Sequence, residues 1–365
     1  MQAVSAIQRL VAAMPKAELH LHLDGSVRVE TALDLARTRD RDAPRSYEGM
    51  FTALTGSASR TMSCSPSLGL LRRGSQAKLL ELFELPIRLL QDAQALERVA
   101  FELVEDKARD RVLYLEIRWA PQLHVHEGLS LTDVIEAVVS GAERGSQVTG
   151  SVVRLVTVGM RSDDASTNVE VVEAAAEYRH RGLLAFDLAG LEAEFPDPRE
   201  HRVAFDAARV AGLEVTVHAG EIRDGGATVR KALELRPRRI AHGVSAAADH
   251  QLIEELARLG VTLDMCPTSN VHAGAVPSIA KHPLPELYRQ GVSVTISTDD
   301  TTISDVTLTE EYTQACAALG ISLPDVWAIN RHALDVAFAG VMLNPLKEEF
   351  DRWASGIPEL ISMPA

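Results

Sequence analysis

Eight short apolar, β-branched runs, at roughly 17–24, 112–119, 153–159, 183–189, 214–219, 238–242, 261–266 and 292–299, constrain this fold most. Helix-length amphipathic stretches follow most of them, for example 168–182, 199–212, 226–236 and 246–260. Strands that alternate with helices build a parallel sheet, because each crossover returns the chain to the same end. Eight such units in 365 residues predict an α/β fold of the (β/α)8 TIM-barrel kind, with a doubly wound open sheet as the structural alternative. The spacing is uneven, since about ninety residues separate the first two runs. This insertion, at about 25–111, holds a Gly/Ser-rich stretch from Thr55 to Ser75 and then a helical pattern from about Pro86 to Arg109. In the helical part Leu89, Leu96, Val99, Leu103 and Val104 recur near helical spacing. Placed after the first strand, the insertion is expected to cover the barrel mouth as a lid. No internal repeat or linker divides the chain, so a single domain over 1–365 is expected.

Chemistry-bearing residues concentrate at the ends of these runs. In Ala17-Glu18-Leu19-His20-Leu21-His22-Leu23-Asp24, the period of two puts the leucines on one face and Glu18, His20, His22 and Asp24 on the other. In a barrel the leucines would meet the helices and the two imidazoles would point inside, where they can chelate one metal. A His-x-His pair is weak alone, since 12 His in this chain give roughly 0.4 such pairs by chance. His124-Val125-His126, which follows Pro121 in a loop-like segment, is expected at the surface. His218 and Thr216 share a face at the end of the fifth run, and Glu221 follows in the loop. The sixth run ends Ala241-His242-Gly243, and the eighth puts Ser293, Thr295, Ser297 and Asp299 on one polar face. Each residue alone is more often a satisfied buried polar group than a ligand. Together they gather at the strand C-termini, where this architecture places active sites. Three imidazoles and a carboxylate suit zinc, with iron as the other option.

Composition narrows the partners. A formal net charge of −14 argues against nucleic acid, which demands clustered Lys and Arg. Three scattered cysteines, Cys64, Cys266 and Cys316, form neither a disulfide framework nor a Cys-x-x-Cys site, and they fit a reducing compartment. Met1 to Met14 lacks the basic start and apolar run of a signal peptide, and no stretch of about 18 apolar residues occurs. A cytoplasmic location without membrane partners is the resulting expectation.

Six ordered segments carry a family likeness: Pro15-Lys16-Ala17-Glu18-Leu19-His20-Leu21-His22-Leu23-Asp24-Gly25-Ser26, Asp187-Leu188-Ala189-Gly190, His218-Ala219-Gly220-Glu221, Arg239-Ile240-Ala241-His242-Gly243, Cys266-Pro267-Thr268-Ser269-Asn270 and Ser297-Thr298-Asp299-Asp300. The chain resembles adenosine deaminases of the metal-dependent amidohydrolase superfamily over nearly its whole length. The resemblance implies one zinc per chain on His20, His22, His218 and Asp299. It implies that Glu221 protonates N1 of a 6-aminopurine, that His242 assists the attacking water, and that Asp300 contacts N7. The Gly190 backbone would contact N3, and Asp24 the ribose 5′-hydroxyl. The chemistry is coherent, because zinc lowers the pKa of a coordinated water towards about 7. An acid at N1 must then start protonated, and burial near the purine can hold it so.

A bridging lysine at the end of the fourth strand marks many two-metal relatives. That strand here ends Phe186-Asp187-Leu188, so one metal is expected. Asp24 in His22-Leu23-Asp24-Gly25 resembles the nucleoside-deaminating branch, where adenine deaminases show glutamate. The expected substrate is adenosine or a 5′-modified adenosine. The alternative is 6-aminodeoxyfutalosine, whose anionic 5′ extension could be met by Arg60, Arg72 and Arg73 if these are not simply solvated surface charges. A catalytically dead binding relative should have lost Glu221, His242 or a metal ligand, and this chain keeps them all. Leu191, Asp264 and Thr301 depart from the family pattern, and all three are expected near the mouth, where they bear on substrate rather than chemistry.

Overall fold

Each of the eight runs becomes a strand: β1 (Lys16–His22), β2 (Val112–Trp119), β3 (Val152–Met160), β4 (Leu183–Ala189), β5 (Glu214–Ala219), β6 (Arg239–His242), β7 (Thr262–Met265) and β8 (Val294–Ile296). The structure, a computed structural model, describes residues 2–39, 42–56 and 75–361. All neighbouring strands pair in parallel and in chain order, β1 to β8. The sheet closes on itself just beyond β8: His22 N donates to Asp299 O at 2.7 Å and Asp299 N to His20 O at 3.1 Å. The seam of the barrel therefore runs through the predicted ligands.

Alternation along β2 shows how the sequence builds the wall. Leu115, Ile117 and Trp119 join the apolar core beneath the helices, while Glu116 and Arg118 turn to the other face. Inside the barrel these charges are fully buried and paired. Arg118 reaches Asp187 at 2.7 Å, and Arg239 contacts both Glu116 and Asp264, the latter at 3.0 Å. Removing one member of such a pair strands its partner, which costs about 3–5 kcal/mol. Asp264 thus belongs to this interior network rather than to the mouth, because Arg239, the first residue of β6, holds it there.

The expected alternation fails in β1. Its pairing with β2 is irregular between Glu18 and Leu21. His20 and His22 still converge, but Glu18 leaves their face and pairs with Lys107 of the helix Ala93–Arg109 at 2.7 Å. Leu19 separates from Leu21 and Leu23, packing with Ala17 and Tyr114 against Ala333, Leu334 and Ala337. The pairing shifts register at two places, Lys16/Ala17 and Glu18/Leu21, and the second moves Glu18 and Leu19 to faces opposite those a regular strand would give them.

The insertion between β1 and β2 carries helices Val29–Arg39, Tyr47–Thr55, Gln76–Glu81, Glu84–Leu89 and Ala93–Arg109. The helix expected from about Pro86 is two helices, broken where Asp92 starts a new one by accepting from Ala95 N at 2.8 Å. Arg60, Arg72 and Arg73, and most of the Thr55–Ser75 stretch, lie outside the described residues. Among the described residues no helix is long and apolar enough to cross a membrane.

Candidate active site

Three ring nitrogens and a carboxylate oxygen converge at the barrel seam. His20 Nε2 is 3.3 Å from His22 Nε2, which is 3.2 Å from His218 Nε2. Asp299 Oδ1 lies 2.8 Å from His20 Nε2 and 3.4 Å from His22 Nε2. Ligands about 2.0–2.2 Å from a tetrahedral zinc stand about 3.3–3.5 Å apart, so this donor set fits such an ion. Burial pushes His20 well below its ordinary range and His22 to about 4, which leaves neutral imidazoles suited to ligation. Burial raises Asp299, but the rings of His20 and His242 outweigh it and hold the carboxyl well below its usual range.

The surroundings orient these groups. His218 Nδ1 lies 3.0 Å from Asp187 Oδ2, the carboxylate that also holds Arg118. Ser269 Oγ donates to Asp299 Oδ2 at 2.6 Å. A carboxylate or hydroxyl behind a ligand fixes its rotamer and tautomer. Ser269 and Asn270 reach the centre because Pro267 starts a short helix (Pro267–His272) directly after β7. No sequence pattern marks Asp187, Ser269 or Asn270 for these contacts, although all three lie in the quoted segments.

His242 is buried beside this cluster. Its ligand atom falls within 4.8 Å of those of His20, His218 and Asp299. Its Nε2 is 3.7 Å from Glu221 Oε1 and 3.8 Å from Asp299 Oδ2, whereas the pairs His20–His22, His22–His218, His20–Asp299 and His22–Asp299 stand 2.8–3.4 Å apart. His242 and Asp299 both adopt positive φ, at 69° and 67°. Left-handed backbone at non-glycine residues tends to collect at functional sites.

Glu221 is placed by a turn that needs glycine. Gly220 has φ +77°, and a Cβ there would lie 2.6 Å from Val229 Cγ2. The backbone N–H groups of Gly220 and Glu221 both donate to the Glu192 carboxylate, at 2.6 and 2.9 Å. Gln76, from the insertion, donates to Glu221 Oε2 at 2.5 Å and accepts from Glu192 N at 2.8 Å. Burial first, and the Asp299 charge second, raise the Glu221 carboxyl to about 8. Gln76 and Glu192 carry no sequence signal for this role, since their partners are remote along the chain.

Asp24 and Asp300 line the neighbouring wall. Burial, then Asp299 and Asp24, raise Asp300 well above its ordinary value. Burial raises the Asp24 carboxyl, but His124, whose Nε2 is 3.8 Å from its Oδ2, together with His22 and a backbone hydrogen bond holds it below its ordinary value. His124 is therefore not at the surface. It is buried with Nδ1 3.0 Å from the Leu90 carbonyl, and only His126 of that pair is exposed. The difference arises because the insertion folds back over the segment after β2. Gly190, half-buried with φ +120°, follows the end of β4.

A family model described as adenosine deaminase matches residues 15–344. The chain is 33% identical to an adenosine deaminase of Clostridium acetobutylicum, over 91% of this chain and 96% of that one. It is 36% identical to an adenosine deaminase of Shewanella pealeana, over 92% and 98% of the two chains. A crystal structure of Arabidopsis ADAL complexed with GMP superposes with TM-score 0.80 at 26% identity, covering 96% of this chain and 99% of that one.

Proposed function

The chain belongs to the adenosine deaminase family, and on that premise we propose that it is a hydrolase that deaminates a 6-aminopurine nucleoside, converting adenosine and water to inosine and ammonia. The observation that carries this reading is the convergence of His20, His22, His218 and Asp299 beside a buried Glu221. One zinc ion on those four groups would supply the Lewis-acid charge that makes water nucleophilic near neutral pH.

This chain's own residues do the rest. In the reaction a C6–O bond forms and the C6–N6 bond breaks; the two protons of the attacking water end, one through Glu221 on N1 and one on the departing nitrogen, which leaves as ammonia. Electron density pushed into the ring collects at N1, where Glu221 delivers a proton. A carboxyl raised to about 8 holds that proton at neutral pH. Purine N7 is an acceptor, so Asp300 must donate to it, and burial beside two other carboxylates favours its protonated form. The Gly190 backbone contacts N3. Asp24, ionised and with Oδ1 buried without a partner, accepts from the ribose 5′-hydroxyl. His242 hydrogen-bonds the attacking oxygen from beside Glu221 and Asp299.

Ammonia release by zinc-loaded protein, measured at equal concentrations of adenosine, adenine and 6-aminodeoxyfutalosine, tests the reading. Preference for adenosine is expected. Activity on adenine alone would overturn the role of Asp24. Preference for 6-aminodeoxyfutalosine would move the substrate to a 5′-extended nucleoside, and silence on all three would refute deamination.

A further inference from the structure

Behind His242 runs a chain of hydrogen bonds that ends on a backbone amide. The Leu284 N–H donates to His282 Nδ1 at 3.2 Å. His282 Nε2 lies 3.0 Å from Asn270 Oδ1, and Asn270 Nδ2 lies 3.0 Å from His242 Nδ1. All three side chains are buried, at 4%, 0% and 1% exposure.

The direction of this chain follows from its fixed end. A backbone N–H can only donate, so His282 Nδ1 must accept and its proton must sit on Nε2. Burial holds His282 at about 3, so it does not gain a second proton at ordinary pH. Nε2–H then donates to Asn270, which must present its carbonyl oxygen there. The amide NH2 of Asn270 is left facing His242 and can only donate. His242 Nδ1 therefore accepts, and its proton sits on Nε2, the atom that faces Glu221 and Asp299.

We infer that Asn270 and His282 are positioning residues that lock His242 in its Nε2–H tautomer, so that His242 donates a hydrogen bond to the attacking oxygen and is neither a metal ligand nor the group that takes the first proton from water. A nitrogen that carries a proton has no lone pair for a metal. The catalytic part of this inference rests on the deaminase reading, whereas the tautomer does not.

The test reads the ring nitrogens directly. Zinc-loaded protein labelled with 15N-histidine is examined by long-range 15N–1H correlation, with His242 assigned by the loss of its signals in His242→Gln. A protonated Nε2 and a bare Nδ1 are expected. A protonated Nδ1, or an Nε2 shifted by bound metal, would overturn the inference without any variant having to fold. Asn270→Asp replaces the donor by an acceptor of the same shape and should move the proton to Nδ1. A wrong tautomer can cost a catalytic histidine about 10⁴ in kcat, and here a loss of at least about 10² is expected. KM should stay within about threefold and the zinc content should be unchanged. An Asn270→Asp enzyme with the wild-type tautomer or the wild-type kcat would refute the lock. His282→Phe, which removes the fixed donor but keeps the bulk, should give mixed His242 tautomers, and a single wild-type tautomer there would refute the part assigned to His282. If wild-type protein deaminates no purine, the functional reading fails, and the ring-nitrogen pattern still decides the tautomer.

Discussion

Adding one methyl group at Gly25 should displace the carboxyl assigned to N7. A Cβ on Gly25 would stand 1.8 Å from Asp300 Oδ1, 2.5 Å from its Cγ and 2.9 Å from its Cβ. Ordinary contact begins near 3.4 Å, so Oδ1 must retreat by about 1.6 Å. The two backbones cannot part to make room, because the Gly25 carbonyl accepts from Thr302 N and Ile303 N, both at 3.1 Å. Gly25 lacks a positive φ, so the obstacle is steric rather than conformational. Overpacking of this kind costs about 1–3 kcal/mol of stability, which a well-folded barrel survives. A displacement of about 1 Å at a reacting centre can cost about 100-fold in rate, so Gly25→Ala should lose about 10² or more in kcat/KM for adenosine. The assay is the absorbance change on deamination, with zinc content measured in parallel and expected to match wild type. Routing through Asp300 is checked by the double variant. In an Asp300→Ala background the methyl group meets no carboxylate, so Gly25→Ala should add little further loss. Activity of Gly25→Ala within threefold of wild type, or losses that multiply in the double variant, would refute the argument.

Two further outcomes follow from the site. Glu221→Gln should keep its metal and bind purine but lose about 10²–10⁴ in kcat, as judged by steady-state kinetics and product-binding titration. With Glu221 as the proposed proton donor to N1, the protonated carboxyl would be the active form, present below about 8 and lost as pH rises through it. A nearby cation pulls that value down, so the alkaline limb of kcat should fall at or below about pH 8 and flatten in Glu221→Gln. Asp187→Asn leaves His218 Nδ1 and Arg118 without their shared carboxylate and should weaken zinc binding by about 10–100-fold in a competitive chelator titration. Unchanged affinity would assign Asp187 to the barrel interior alone.

The strands were legible because their signal is local: β-branched runs, helices after them, and a period of two that places His218 and Asp299. What lay hidden depends on contacts remote in the chain. Gln76 meets Glu221 across 145 positions, and His124 is drawn under the insertion beside Asp24. No pattern around either residue marks these encounters. The irregularity in β1 was equally silent, since alternation of leucine and polar residues reads as a regular strand until its pairing with β2 is known. Asp187, Ser269 and Asn270 lay within recognisable segments, but their work is done on a neighbour's imidazole or carboxylate, and only geometry names that neighbour.

The buried charges beneath the site bear on how such a chain can change by descent. Arg118, Asp187, Arg239, Glu116 and Asp264 share partners, so altering one strands another in a dry interior. A lineage could trade them only in concerted steps or through an unstable intermediate. Residues on the loops above are under no such obligation and can vary one at a time. Substrate preference can therefore drift among descendants while the ionic floor is inherited as a block.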